Sequence, residues 1–187
     1  VRSVYDLKDS NCSELQYLED VKYADFGHDE YLNDSSFLSG MKSLEVLIIS
    51  GSPIKDLSPL SACKNLRILE IANCGYITDL SPLEDCESLE MLNISHTKAT
   101  EGLSALEERN ITHLTAVGGI WNKISQEDRD AFQEDHPDCW IVTSGNEYGV
   151  GWRYVNDETK MDWYAQAAVA FKYPHAPNNA GWYLENE

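Results

Sequence analysis

The residues with chemical potential are thinly spread. Five histidines, His28, His96, His113, His136 and His175, occur singly. The run Asp135-His136-x-Asp138-Cys139 holds the residue types of a metal site or a Cys-His nucleophile. Such chemistry needs convergent geometry, and neighbours at the end of a helix rarely converge on one point. A second cluster, Asp25, His28, Asp29, Glu30 and Asp34, is rich in oxygen ligands. It lacks the alternating Asp/Asn ladder and turn glycine of a calcium loop, so it reads as a solvated loop. Gly149-x-Gly151 lacks the third glycine of a dinucleotide fingerprint and reads as a turn. No HExxH, CxxC, GxSxG or P-loop occurs. No acid, base and nucleophile can be named together, so the expectation is a protein that is not an enzyme, with no catalytic, metal or cofactor residues.

What remains is the chemistry of contact, and it is organised by repetition. LEVLIISGSPIKDLSPLSACKN is followed by LRILEIANCGYITDLSPLEDCES, LEMLNISHTKATEGLSALEERN and ITHLTAV. Leu44, Leu66, Leu89 and Ile111 are equivalent starts, spaced by 22, 23 and 22 residues. That period, headed by L-x-x-L-x-I, is the signature of a leucine-rich repeat. Alternation within the head predicts a short strand, with Leu47/Ile49, Leu69/Ile71 and Leu92/Ile94 pointing into the core. Ser52, Cys74 and Thr97 follow each strand where their side chains can satisfy buried main-chain groups at the turn. In D-L-S-P-L, at 56–60 and 79–83, Asp or Ser caps a short helical or 3-10 turn, Pro suits its start and the leucines drop inward. Cys63, Cys74 and Cys86 hold repeat-defined places and read as small buried packing residues.

The fold class that follows is α/β: a short leucine-rich-repeat solenoid with a parallel concave sheet and short helical turns on its convex side. Residues 1–17 read as an N-terminal cap and 18–124 as the repeats. In the first unit, Leu18, Val21 and Tyr23 align with Leu44, Leu47 and Ile49, which implies about four extra residues near Phe26–Tyr31. LNDSSFLSGMKS (32–43) matches IKDLSPLSACKN (54–65) without a gap. Residues 125–142 read as a capping helix and strand: Ser125 and Asp128 form a capping box opening a helix from about Gln126 to Glu134. Residues 143–187 form an aromatic-rich C-terminal α+β segment.

The I-x-D-L-S-P-L and L-x-x-L-x-I motifs resemble the 22-residue class of leucine-rich repeats found in internalin-like bacterial surface proteins, over roughly residues 18 to 124. The C-terminal segment resembles one found in leucine-rich proteins of gut Firmicutes. The resemblance implies a binding module whose site is the open face of the sheet. Outward positions there form two rows: Asp20, Val46, Ile68, Met91 and His113, then Lys22, Ile48, Glu70, Asn93 and Thr115. Val46, Ile48, Ile68 and Met91 are expected to form an exposed apolar centre for a protein partner, rimmed by Glu70, Asn93, His113 and Thr115. The alternative is that the C-terminal segment folds back over them. A second reading places glycan binding on the aromatic segment, with Trp152, Tyr154, Trp182 and Tyr183 stacking on sugar rings.

Charge narrows the partners. With 32 acidic and 14 basic residues the net charge is −18, which repels phosphate backbones and anionic membranes, so no nucleic acid and no membrane insertion are expected. The chain opens at Val1, which reads as a processed start. An extracellular or cell-surface location is expected, with the signal presumed removed and a cytoplasmic one the alternative. The odd number of cysteines, five, argues against a dense disulfide framework.

Overall fold

The computed structural model describes residues 12–144. Six three-residue strands form one parallel sheet in sequence order: β1 Tyr23–Asp25, β2 Val46–Ile48, β3 Ile68–Glu70, β4 Met91–Asn93, β5 His113–Thr115 and β6 Trp140–Val142. The register repeats without a slip, with Ala24, Leu47, Leu69, Leu92, Leu114 and Ile141 paired across it. One residue beyond each strand the ladder continues, Phe26, Ile49, Ile71, Ile94 and Ala116 each donating an N–H to a carbonyl of the next unit.

Between strands the chain returns through 3-10 turns at Ser36–Gly40, Ser58–Ala62, Ser81–Asp85 and Leu103–Leu106. Pro59 and Pro82 sit at the start of theirs, where a missing N–H costs nothing. An aspartate leads into three of them: Asp34, Asp56 and Asp79 accept the N–H of Ser36, Ser58 and Ser81 at 2.8–2.9 Å. These bonds from Ser58 hold the Asp56 carboxyl below the ordinary carboxylate range. In the fourth turn Gly102 takes a left-handed conformation, φ 77°, and its α-carbon lies against Ser81 of the preceding unit, where a side chain has no room.

Between the strands and the turns lies a ladder of fully buried leucine and isoleucine, including Leu44, Leu47, Ile49, Leu60, Leu66, Leu69, Leu83 and Leu89. Each contributes on the order of 2 kcal/mol by leaving water. The cysteines complete the ladder as weak donors: the Sγ of Cys63 lies 3.4 Å from the Leu38 carbonyl and that of Cys74 3.1 Å from the Ile49 carbonyl. Burial pushes the Cys63 thiol up to about 11 and the Cys86 thiol to about 12. Thr97 serves its turn as its position implies, its hydroxyl donating to the Ile94 carbonyl at 2.7 Å.

The first unit corrects the sequence reading. Ala24 pairs with Leu47, so Val21, Ala24 and Phe26 are the equivalents of Leu44, Leu47 and Ile49. The unit is 23 residues long, an ordinary length, and carries no four-residue insertion. The small Ala24 makes room for larger neighbours: Phe26 and Phe37 pack edge to face at 5.5 Å beside it. Before it, a 3-10 turn at Ser13–Tyr17 stacks on the turn at Ser36–Gly40, so closely that Gly40 has no space for a side chain against the Gln16 backbone. At the other end the helix α1, Gln126–Asp135, starts at Ser125, whose Oγ accepts the Asp128 N–H at 3.0 Å. The Ser125 hydroxyl donates in turn to the Asp128 carboxylate at 2.6 Å. Phe132 carries this helix into the core beside Trp121.

Candidate partner-binding face

Each outward side chain on the sheet stands beside its equivalents in the neighbouring units, because parallel register places like positions about 5 Å apart. One row runs Tyr23, Val46, Ile68, Met91, His113 and Trp140, and the next Asp25, Ile48, Glu70, Asn93, Thr115 and Val142. The eight residues expected to face a protein partner are therefore contiguous. The ends of the rows differ from expectation: Tyr23 and Asp25 stand where Asp20 and Lys22 were placed, a consequence of the shifted first unit. Trp140 and Val142 extend the rows on β6, and the Trp140 ring meets His113 edge to face at 5.5 Å. The sequence signal for them was the last strand itself, whose register with His113 could not be read from a repeat.

Lys22 belongs to a different row, just before the strands. There Lys22 pairs with Glu45 at 2.7 Å, and Arg67 clasps both oxygens of Glu90 at 2.8–2.9 Å. These ion pairs tie successive units together along the flank.

The expected exposure of the face is overturned. Val46 is 1%, Ile68 2% and Met91 4% exposed, and Ile48 is equally hidden. The polar rim is buried too: Glu70 at 1%, with Asn93, His113 and Thr115 beside it. The physical reason is legible in the strand itself. Val46-Leu47-Ile48-Ile49 is an unbroken apolar run, the pattern of a strand covered on both sides, where a strand with one wet face alternates.

Burial obliges the polar members to find partners. Asp25 accepts the Gly27 N–H at 2.9 Å, and Asn93 the Ser95 N–H at 3.0 Å, the same turn one residue beyond the strand. Glu70 accepts the Ser50 hydroxyl at 3.2 Å, and His113 Nδ1 lies 2.8 Å from the Thr112 hydroxyl. Tyr23, Asp25, Glu70, Asn93, His113 and Trp140 each make at least one further polar, ring or electrostatic contact. The Thr115 hydroxyl, fully buried, has no hydrogen-bond partner among the described residues.

The other candidate chemistry resolves into structure. His136 sets its Nδ1 3.0 Å from the Phe132 carbonyl and its Nε2 2.9 Å from the Arg109 carbonyl, while its ring stacks on Phe132. Cys139 has its thiol pushed up to about 12 by burial, the opposite of what a nucleophile needs. In the acidic cluster Asp25 and Asp29 fold their carboxylates onto backbone N–H groups two residues on. His28 and His96 adopt left-handed backbone conformations, with their rings against Gly51 and Gly118 of the next unit. Among the described residues no three His, Cys, Asp or Glu side chains converge as metal ligands. No described helix is long and apolar enough to cross a membrane. Trp152, Tyr154, Trp182 and Tyr183, named for glycan binding, lie outside the described residues, as does nearly all of the aromatic-rich segment expected over 143–187.

Repeat geometry and sequence together define a leucine-rich-repeat fold. Residues 42–85 match the family model described as Leucine Rich repeats (2 copies). No curated protein sequence matches the chain significantly. Among solved structures, internalin C2 of Listeria monocytogenes is similar with a TM-score of 0.55 at 21% identity, over 75% of this chain and 56% of that one. A leucine-rich-repeat protein of Leptospira interrogans is similar with a TM-score of 0.59 at 19% identity, over 74% of this chain and 34% of that one. The fold is thus the short solenoid shared with internalins, and the chain spans only about half or less of the length of these structures.

Proposed function

We propose that the chain is a non-enzymatic protein-interaction module, exported or displayed at the cell surface, that binds polypeptide across the concave face of its sheet. One observation carries this reading. The outward rows combine an apolar centre, Val46, Ile48, Ile68 and Met91, with polar groups that are buried and hydrogen-bonded. That is the composition of a protein interface, in which a desolvated apolar core is bordered by satisfied polar groups. The solenoid supports the same reading, since stacked units hold such a surface rigid.

The test is affinity capture on the immobilised full-length chain from cell-surface extracts, with wild type compared with His113→Ala and Lys64→Ala after circular dichroism has confirmed their folding. His113 lies on the strand face, whereas Lys64 is exposed beside Asp85 on the flank. A retained protein reduced at least tenfold by His113→Ala and unaffected by Lys64→Ala is the expected result. No retained protein, or one lost only with Lys64→Ala, would overturn the reading. A sugar-specific signal on a glycan array, abolished by Trp152→Ala, would move the site to Trp152, Tyr154, Trp182 and Tyr183. Fractionation of intact cells tests the location separately.

A further inference from the structure

Beyond the C-terminal ends of the strands, alternate units differ. The units that start at Val21 and Leu66 hold 23 residues, and those that start at Leu44 and Leu89 hold 22. The extra residue falls in one place: six steps separate Phe26 from Leu32 and Ile71 from Ile77, against five from Ile49 to Ile54 and from Ile94 to Ala99. Both ends of each span are fixed in the core, so the longer pieces must bow outward. Each does so as a turn, closed by the Leu32 N–H on the Asp29 carbonyl at 3.4 Å and by the Ile77 N–H on the Cys74 carbonyl at 3.1 Å. The third position of both turns is a tyrosine, Tyr31 and Tyr76, 47% and 65% exposed. Between them the intervening unit contributes Pro53, half-buried. We propose that this rim binds a proline-rich peptide with basic flanks, in polyproline II conformation, its prolines seated on Tyr31 and Tyr76.

Three observations select this partner. The first is spacing. The two tyrosines lie two units apart, roughly 10 Å at the usual strand spacing. One turn of a polyproline II helix advances roughly 9 Å, so prolines one turn apart meet successive tyrosines. The second is rigidity. The Tyr31 N–H donates to the Asp29 carboxylate at 3.0 Å, and the Tyr31 carbonyl accepts the Asn33 N–H at 2.9 Å and the Asn33 side-chain amide at 3.0 Å. A ring carried on backbone fixed in this way suits a ligand whose own conformation is preset, because little freedom is lost on binding. The third is charge. Asp34, Asp56, Asp79 and Glu101 occupy equivalent places beside the tyrosines, and Glu30 adjoins Tyr31. Among the described residues the cations of this rim are Lys55 and Lys98, so carboxylates prevail. The bonds from Ser58 that hold the Asp56 carboxyl below its ordinary range keep it ionised at neutral pH. A neutral glycan stacks on tyrosine as well, but this field favours a ligand that carries arginine or lysine.

The test uses a fluorescent synthetic peptide, a run of Pro-x-x-Pro repeats flanked by arginines, titrated with the full-length chain and followed by anisotropy. A second peptide keeps the arginines and replaces every proline with alanine. Circular dichroism first confirms the folding of Tyr31→Ala, Tyr76→Ala and Tyr17→Ala. Tyr17, exposed on the turn at Ser13–Tyr17, controls for the general adhesiveness of tyrosine. The expected result is saturable binding of the proline peptide, weakened by added salt. Tyr31→Ala and Tyr76→Ala should each weaken it at least tenfold, and Tyr17→Ala should leave it unchanged. Tyr31→Phe and Tyr76→Phe, which keep the ring, should retain most of the affinity. No saturable binding, equal binding of the alanine peptide, or an affinity indifferent to both rim tyrosines would overturn the proposal. Neutral oligosaccharides retained on an array and lost with Tyr31→Ala and Tyr76→Ala, without peptide binding, would overturn it in favour of a glycan. Peptide binding at the rim and capture by the concave face are separate readouts, the first sensitive to the rim tyrosines and the second to His113→Ala, so either reading can fail alone.

Discussion

The two sides of this solenoid are built from one repeat and meet water differently. On the turn side, the positions between the leucines are serine, aspartate, glutamate and lysine, and they are solvated: Lys64 reaches Asp85 through an exposed ion pair. On the strand side, from β2 to β5, residues that point away from the core are as dry as those that point into it, even where they are Glu70, Asn93 or Thr115. Alternation along a strand determines which side chains face which way. Whether the outward positions are themselves apolar, as in Val46–Ile49, is the separate signal that tells whether that face is dry.

The sharpest break of this comparison is a charge placed on either side. Ile68→Asp should destabilise the full-length chain by about 4 kcal/mol, as a carboxylate without a partner in a dry environment does. Lys64→Ala, on the exposed flank, should leave the urea midpoint unchanged. Equal, small effects in urea denaturation would erase the distinction between the sides.

Thr115→Val sharpens it from the other direction. The Thr115 hydroxyl is fully buried without a partner among the described residues, so an isosteric methyl should stabilise the protein by about 1 kcal/mol. A loss of stability would mean that the hydroxyl is satisfied.

A smaller effect concerns the ladder between the two sides. Cys63 and Cys86 have thiols raised to about 11 and about 12. The unfolded chain gives up these protons at an ordinary thiol value of about 8.5, the folded chain only at its higher one. Stability should therefore be intact below about pH 8 and decline from about pH 9 towards 11 and 12, measured as the midpoint of urea unfolding. Cys63→Ala should flatten part of that slope and leave neutral-pH alkylation of the folded protein negligible.

Much of this architecture was legible because local signals agreed. The equivalence of Leu44, Leu66, Leu89 and Ile111 follows from period, and the caps of α1 from Ser125 and Asp128. The first unit misled because Leu18 imitates a repeat start, whereas Ala24 fills a position that elsewhere takes leucine. Its volume is supplied by Phe26 and Phe37, a substitution across chain distance that no repeat pattern encodes. The eight candidate residues of the face were identified as neighbours correctly, since parallel register fixes adjacency. Their solvent exposure was misjudged, although the unbroken run Val46–Ile49 already described a strand dry on both sides. Tyr23, Asp25, Trp140 and Val142 were missed because they lie in the units where the repeat is least regular.

The central claim is that the outward rows of the sheet are interior, and hydroxyl-radical footprinting of the intact chain tests it most directly. Each residue's oxidation rate in the folded protein is divided by its rate in urea. The account predicts that Met91 and His113 are protected at least tenfold, as Met41 is, while Tyr17 and Tyr76, exposed by 75% and 65%, react nearly as fast as in urea. Met91 oxidised in the folded protein as fast as in the unfolded one, with Met41 still protected, would contradict it.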